Sequence, residues 1–196
     1  MSRWKPDARG RLERAAVELF VEQGFAATTV PQIAARAGLT TRTFFRHFAD
    51  KREVLFAGDE ELPALVARLV ADAPAALDPL PVIAYGLEAV TATWSEDQRA
   101  YLRTRRAVIR ADAGLREREL RKLAILSDAL DRGFRERGVD ALAATLAARL
   151  AVAVFGVTLD RWLDQDGERP PAELARDTLR ALRAVTAAPI APPHGA

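Results

Sequence analysis

Apolar residues recur along this chain at the spacing of helix faces. Leu12, Ala15, Ala16, Leu19 and Phe20 fall at i, i+3, i+4, i+7 and i+8, one stripe of an amphipathic helix. Gly24 follows where a C-terminal cap belongs. A second helix is predicted to open at Thr29, because Thr-Val-Pro-Gln puts a hydroxyl three residues before Gln32, the spacing of a capping box. Pro31 is tolerated there, since first-turn amides have no helical partner. Ile33, Ala34 and Ala37 form its inner face and Gly38 ends it. Thr40 caps a third helix reaching about Phe48, and Asp50 followed by Glu53 predicts a fourth, long helix with a kink or break at Pro63. The stretch 74–81, rich in proline, reads as a linker. Further helices are predicted at about 81–94, 98–112, 115–137, 140–164 and 171–187, divided by Ser95-Glu96-Asp97, Ala113-Gly114, Gly138 and the segment 166–171. No alternating run suggests a strand, so the fold class is all-α. The tail, 189–196, has no periodic pattern and is expected to be disordered.

Charge changes this picture at one end. The chain carries +2 overall, but residues 1–55 hold ten Lys and Arg against six Asp and Glu, while the remainder holds nineteen against twenty-one. A polyanion would meet the first quarter. There is no cysteine and only two histidines, which removes disulfides, thiolate chemistry and a His-rich metal site. No nucleophile with a His partner, no G-x-S-x-G and no phosphate-cradling glycine loop is present, so neither an enzyme nor a cofactor is expected. The first residues lack the apolar run of a secretory signal, and the most apolar stretch, 141–159, is largely alanine with Arg149 at its middle. The expectation is a cytoplasmic protein with no membrane partner.

The segment Gly38 to Lys51, GLTTRTFFRHFADK, concentrates three Phe, two Arg, one His and three Thr. On a helix from Thr41, Phe44 and Phe48 share the buried face and Arg42 and Arg46 the opposite one, with Thr41 and Thr43 beside them. Arg suits bidentate contact with guanine O6 and N7, and Thr methyls suit thymine. Lys51, in the first turn of the next helix, is a cation where the dipole disfavours one, which makes sense if a phosphate sits there. Phe45 either packs or touches the DNA backbone.

TTVPQIAARAGLTTRTFFRHFADKREVL, within a match covering about 8–60, resembles the N-terminal domain of the TetR family of transcriptional repressors. The shared pattern is a Thr cap on helix 2, then Ile-Ala, Ala-Gly-Leu-Thr, an aromatic-rich stretch and a Lys opening helix 4. The resemblance implies a helix-turn-helix DNA-binding domain at 8–62, a C-terminal ligand-binding and dimerisation bundle at 63–188 joined through a long helix, and a palindromic double-stranded operator released by an unknown small-molecule inducer. It implies DNA contacts from Thr29, Thr40, Thr41, Arg42, Thr43, Phe45, Arg46, His47 and Lys51, with Thr29 first a cap and His47 either a surface residue or a phosphate contact. Two positions depart from the family: Phe45 stands where Tyr is usual, and Pro31 where a DNA-contacting side chain can occur. The alternative is a helical ligand-binding or interaction protein that no longer binds DNA.

Residues 142–163 are apolar almost all round, and such a helix must be covered on every side. A homodimer through helices 140–164 and 171–187 is therefore expected, the alternative being a central core helix in a monomer, and a charge at Val152 or Val154 is expected to dissociate the dimer or prevent folding. For the inducer, Trp94, Tyr101, Phe134 and Phe155 are candidate lining groups, with Arg105 or Arg106 for an anionic ligand. The spread-out run Arg99, Arg103, Arg105, Arg106 and Arg110 reads as a solvated face.

Overall fold

The computed structural model describes residues 7–165 and 169–187, and every regular element among them is helical. In chain order these are α1 (Ala8–Gln23), α2 (Val30–Arg36), α3 (Thr41–His47), α4 (Leu62–Asp72), α5 (Pro79–Thr91), α6 (Glu96–Ala111), α7 (Ala113–Glu136), α8 (Ala141–Asp164) and α9 (Pro171–Thr186). Two 3₁₀ turns, Glu53–Phe56 and Asp59–Glu61, lie between α3 and α4. The tail 189–196 and part of the 166–171 break lie outside the described residues.

The fourth helix departs from expectation. Asp50 does act as a cap, its Oδ1 accepting from the amides of Arg52 at 2.7 Å and Glu53 at 2.9 Å. What it opens is a single 3₁₀ turn, Glu53–Phe56, in which Val54, Leu55 and Phe56 are all buried. Gly58 then turns the chain at φ 84°, and α4 starts only at Leu62. Pro63 falls in the first turn of α4, where its missing N–H costs nothing, instead of breaking a longer helix.

Packing divides the chain into two units, and not at one boundary. The first comprises residues up to Pro63 together with Ala100–Ile125; the second comprises Ala64–Arg99 and the chain from Leu126 onward. A single cut after residue 62 misses the 100–125 segment, which packs with the first sixty residues.

In the first unit Leu12, Ala16 and Phe20 of α1 close over Ile33, Phe44, Phe48, Val54, Leu55 and Phe56, and Val108, Ile109 and Leu115 from the 100–125 segment complete the core. Phe56 lies under three cations: Arg105, Arg118 and Lys122 stand 5.3, 5.9 and 4.9 Å from its ring centroid. Arg118 pairs with Glu53, and Arg105 with Asp59 at 2.8 Å. Burial raises the Asp59 carboxyl above its ordinary value against the pull of Arg105 and Lys122.

In the second unit α8 packs on α9 and α5, and α9 on α5. Ala144, Ala147, Ala148, Val154, Thr158, Trp162 and Leu163 are the buried side of α8. Arg137 closes the end of α4, with Nη1 donating to the carbonyls of Val70 at 3.0 Å and Ala73 at 2.7 Å, and Nη2 to that of Pro74 at 2.6 Å. Asp140 caps α8 through the amides of Leu142 and Ala143. Among the described residues α8 alone is long and apolar enough to cross a membrane. Its inner side is core, and Leu142, Leu146 and Val157 lie bare on the other, 71%, 53% and 50% exposed. The position expected at an interface, Val154, instead points into its own unit and is buried; Val152 is half-buried.

Candidate nucleic-acid interface

The segment from Thr28 to Lys51 is built by local chemistry. Thr29 caps α2 reciprocally: its side chain accepts from the Gln32 amide, and the Gln32 Oε1 accepts from the Thr29 amide at 2.8 Å. Pro31 stands in that first turn. At the other end Gly38 adopts φ 63°, its amide bonds the Ala35 carbonyl at 2.9 Å, and the Leu39 amide bonds that of Ala34 at 2.8 Å. This is a Schellman stop, and it needs a residue at ease in the left-handed region. Thr40 then caps α3 at once, its hydroxyl accepting from the Thr43 amide at 3.2 Å and lying 3.0 Å from the Thr43 hydroxyl.

The resulting α3 is anchored on one side only. Phe44 is fully buried and lies 5.5 Å from Phe48. On the other side Thr41, Arg42 and Arg46 are exposed, and neither guanidinium has an intramolecular partner among the described residues. Phe45 is 59% exposed, its ring edge-on to Phe44 at 5.5 Å. Two short helices joined by a glycine turn, the second presenting unpaired cations and hydroxyls on its free face, are a helix-turn-helix.

Two residues of the expected contact set are placed differently. Lys51 is not held out to solvent: its ammonium donates to the carbonyls of Phe25 at 2.7 Å, Ala26 at 3.2 Å and Thr28 at 2.7 Å, and sits 4.5 Å from the Phe25 ring centroid. An ammonium has three donors, and all three are used. Desolvation, then the charge of Arg52, lowers its pKa from the ordinary lysine value. Lys51 thus ties down the loop between α1 and α2, which corrects the expectation of an ammonium available to phosphate. His47 is half-buried, and its Nε2 is enclosed without a hydrogen-bond partner.

The five candidate ligand residues divide between the two units. Trp94 and Phe155 meet at 6.1 Å in the second unit, and Trp94 also packs on Trp162 at 4.7 Å. Phe134 is fully buried in that unit. Tyr101 and Arg105 belong to the first unit, because α6 passes into it after Arg99. Tyr101 packs against the first unit's core, and burial raises its hydroxyl pKa. Arg105 is taken by Asp59 and the Leu55 carbonyl, so it is a structural cation there. Nothing in the sequence distinguished Arg99 from its neighbours, yet it is buried in the second unit beside Trp162. Among the described residues no group of acidic or histidine side chains could hold a metal.

Residues 13–57 match the model of bacterial regulatory proteins, tetR family. The HTH-type transcriptional regulator TcmR of Streptomyces glaucescens is 39% identical over 82 residues, which span 42% of this chain and 36% of that protein. The chain therefore aligns with little more than a third of that curated relative. Among solved structures, the SmeT–triclosan complex, whose protein is the efflux-pump repressor of Stenotrophomonas maltophilia, superposes with a TM-score of 0.64 at 24% identity, covering 91% of this chain and 90% of that one. Thermus thermophilus FadR, a repressor in complex with lauroyl-CoA, gives 0.53 at 23% identity, covering 96% and 100%. Those two likenesses are of fold. Over residues 13–57 the chain is similar to bacterial regulatory proteins of the tetR family.

Proposed function

We propose that the protein is a cytoplasmic repressor that binds a palindromic double-stranded operator as a homodimer and leaves it when a small-molecule inducer occupies the second unit. The observation that carries the reading is the outward face of α3, where Arg42 and Arg46 stand exposed and, among the described residues, unpaired while Phe44 fixes the helix from behind. Guanidiniums so placed can address base edges, and Thr41 and the exposed Phe45 flank them. Dimerisation is supported by the uncovered aliphatic stripe of α8, which runs through Leu142, Leu146, Ala153 and Val157 at helical spacing. Release by a ligand is supported by SmeT and FadR, both solved with small molecules bound.

The test is binding of the protein to the DNA upstream of its own gene and to a scrambled duplex, across a salt series. A footprint of two half-sites on the first duplex, with non-specific binding at least about a thousandfold weaker, is expected. Equal affinity for both duplexes at every salt concentration would remove the repressor reading.

A further inference from the structure

The second unit contains a buried cation with an unmade hydrogen bond. Arg99, in the first turn of α6, is only 5% exposed. Its Nε donates to the Trp162 carbonyl at 3.0 Å and its Nη1 to Glu96 at 2.8 Å, whereas Nη2 is enclosed and has no partner. The guanidinium carbon lies 5.3 Å from the Trp162 ring centroid. Thr158 is fully buried, and its Oγ1 also has no partner, not even the carbonyl one turn back that a helical Thr usually finds. Phe155, Thr158 and Trp162 fall at i, i+3 and i+7, one face of α8, and Trp94 packs against both of the rings. Trp162 is buried, but Trp94 and Phe155 are only half-buried, so the cluster reaches the unit's surface.

A guanidinium removed from water with a donor left over is unfavourable unless something completes it. Glu96 supplies a counter-charge at Nη1 from a 70% exposed position and leaves Nη2 without an acceptor. An anionic oxygen at Nη2 would complete the guanidinium. The rings beside it offer a flat apolar surface, and the Thr158 hydroxyl offers one further polar contact.

We propose that this cluster binds an organic anion, a carboxylate carried on a flat aromatic body, with Arg99 Nη2 as its anchor, Thr158 as the second polar contact, and Trp94 and Phe155 as apolar walls. The proposal rests on the reading of the second unit as the inducer-binding part and gives that inducer its chemistry. Inorganic phosphate lacks the body the rings require, and a neutral aromatic lacks the charge the arginine requires.

The experiment is calorimetric titration of the full chain, without DNA, with 2-naphthoate, its uncharged twin 2-naphthamide, and inorganic phosphate. Naphthoate is expected to bind with a Kd below about 1 mM, naphthamide at least about tenfold more weakly, and phosphate without saturation. Arg99→Met should abolish the preference for naphthoate, and Thr158→Val should weaken it severalfold. A thermal melt checks that each variant is folded; should Arg99→Met fail to fold, the naphthoate-to-naphthamide ratio on the unaltered protein still decides. No naphthoate binding at about 1 mM, equal affinity for the two twins, phosphate binding as tight as naphthoate, or a folded Arg99→Met that keeps the preference would each overturn the proposal. Operator binding by the ligand-free protein is measured separately, so failure of this site leaves the DNA reading standing, and failure of the DNA reading leaves this site standing.

Discussion

Helices α3 and α8 are each covered on one side and bare on the other, yet they stand in opposite relations to water. The bare side of α3 carries Arg42, Arg46 and Thr41, groups that water solvates well. Nothing in folding presses that face to find a partner, so a partner has to bring opposite charge with it, as DNA does through its phosphates. The bare side of α8 carries Leu142, Leu146 and Val157, each of which would gain roughly 1–2 kcal/mol from burying the area it still exposes. That face has a thermodynamic reason to find cover whatever the solution contains. The contrast teaches that exposure means different things for different side chains: a salt-dependent, reversible encounter at α3, and a standing drive for association at α8.

The sharpest break in this contrast lies within α8 itself. Val154→Asp would bury an unpaired charge in the second unit and should cost about 3–5 kcal/mol, so that thermal melting shows no folded protein or a greatly lowered midpoint. Leu146→Asp, on the bare side of the same helix, should leave the melt of the monomer close to normal while sedimentation shows the dimer dissociated at micromolar concentration. If the two substitutions act alike, the bare stripe is not an interface.

Next in size is Arg42→Ala. It should cost roughly 1–3 kcal/mol per half-site on the operator and relax preference at one base pair. The melting temperature should not move, because among the described residues Arg42 has no intramolecular partner to lose. Lys51→Met gives the reverse pattern. Removing a charged donor from three carbonyls should cost about 1.5–3 kcal/mol of stability, seen in urea unfolding, with base preference unchanged in the variant that remains folded.

The smallest effect concerns Asp131, whose carboxylate holds Arg135 and the Thr145 hydroxyl, the latter at 2.8 Å. The Arg135 hydrogen bond and then that of Thr145 lower its pKa below the ordinary 3.8. A depressed carboxylate contributes stability above its unfolded pKa and loses it as pH falls through the folded one. Wild type and Asp131→Asn should therefore differ in melting temperature at pH 7 and converge as pH falls below 3.8 through the lowered folded value.

The sequence made the helix-turn-helix legible because its determinants are local. Thr29 with Gln32, Gly38 with Ala35, Leu39 with Ala34, and Thr40 with Thr43 all act within five residues, and each is visible as a spacing. The long helices beyond residue 78 were legible for the same reason, their ends falling within three residues of the expected positions. Lys51 was misread because the carbonyls that take its donors come from a loop more than twenty residues earlier. Arg99 was missed because the carbonyl it meets is Trp162, 63 residues on, while its charge pattern looks like that of any solvated helix. Tyr101 and Arg105 were grouped with Trp94 because adjacency along α6 hides the point where that helix passes from one unit to the other.

Between the stop of α2 and the cap of α3 stand only Gly38 and Leu39, and both of their amides are committed to α2 carbonyls. The connection therefore has no slack, and chain length there sets the rotational phase of the helix that follows. Each residue added inside α3 would advance its later positions by about 100°, enough to carry Arg46 toward the place Phe44 needs. Lineages that change which DNA they read can do so by exchanging outward side chains one at a time, whereas insertions and deletions across residues 38–46 should be purged.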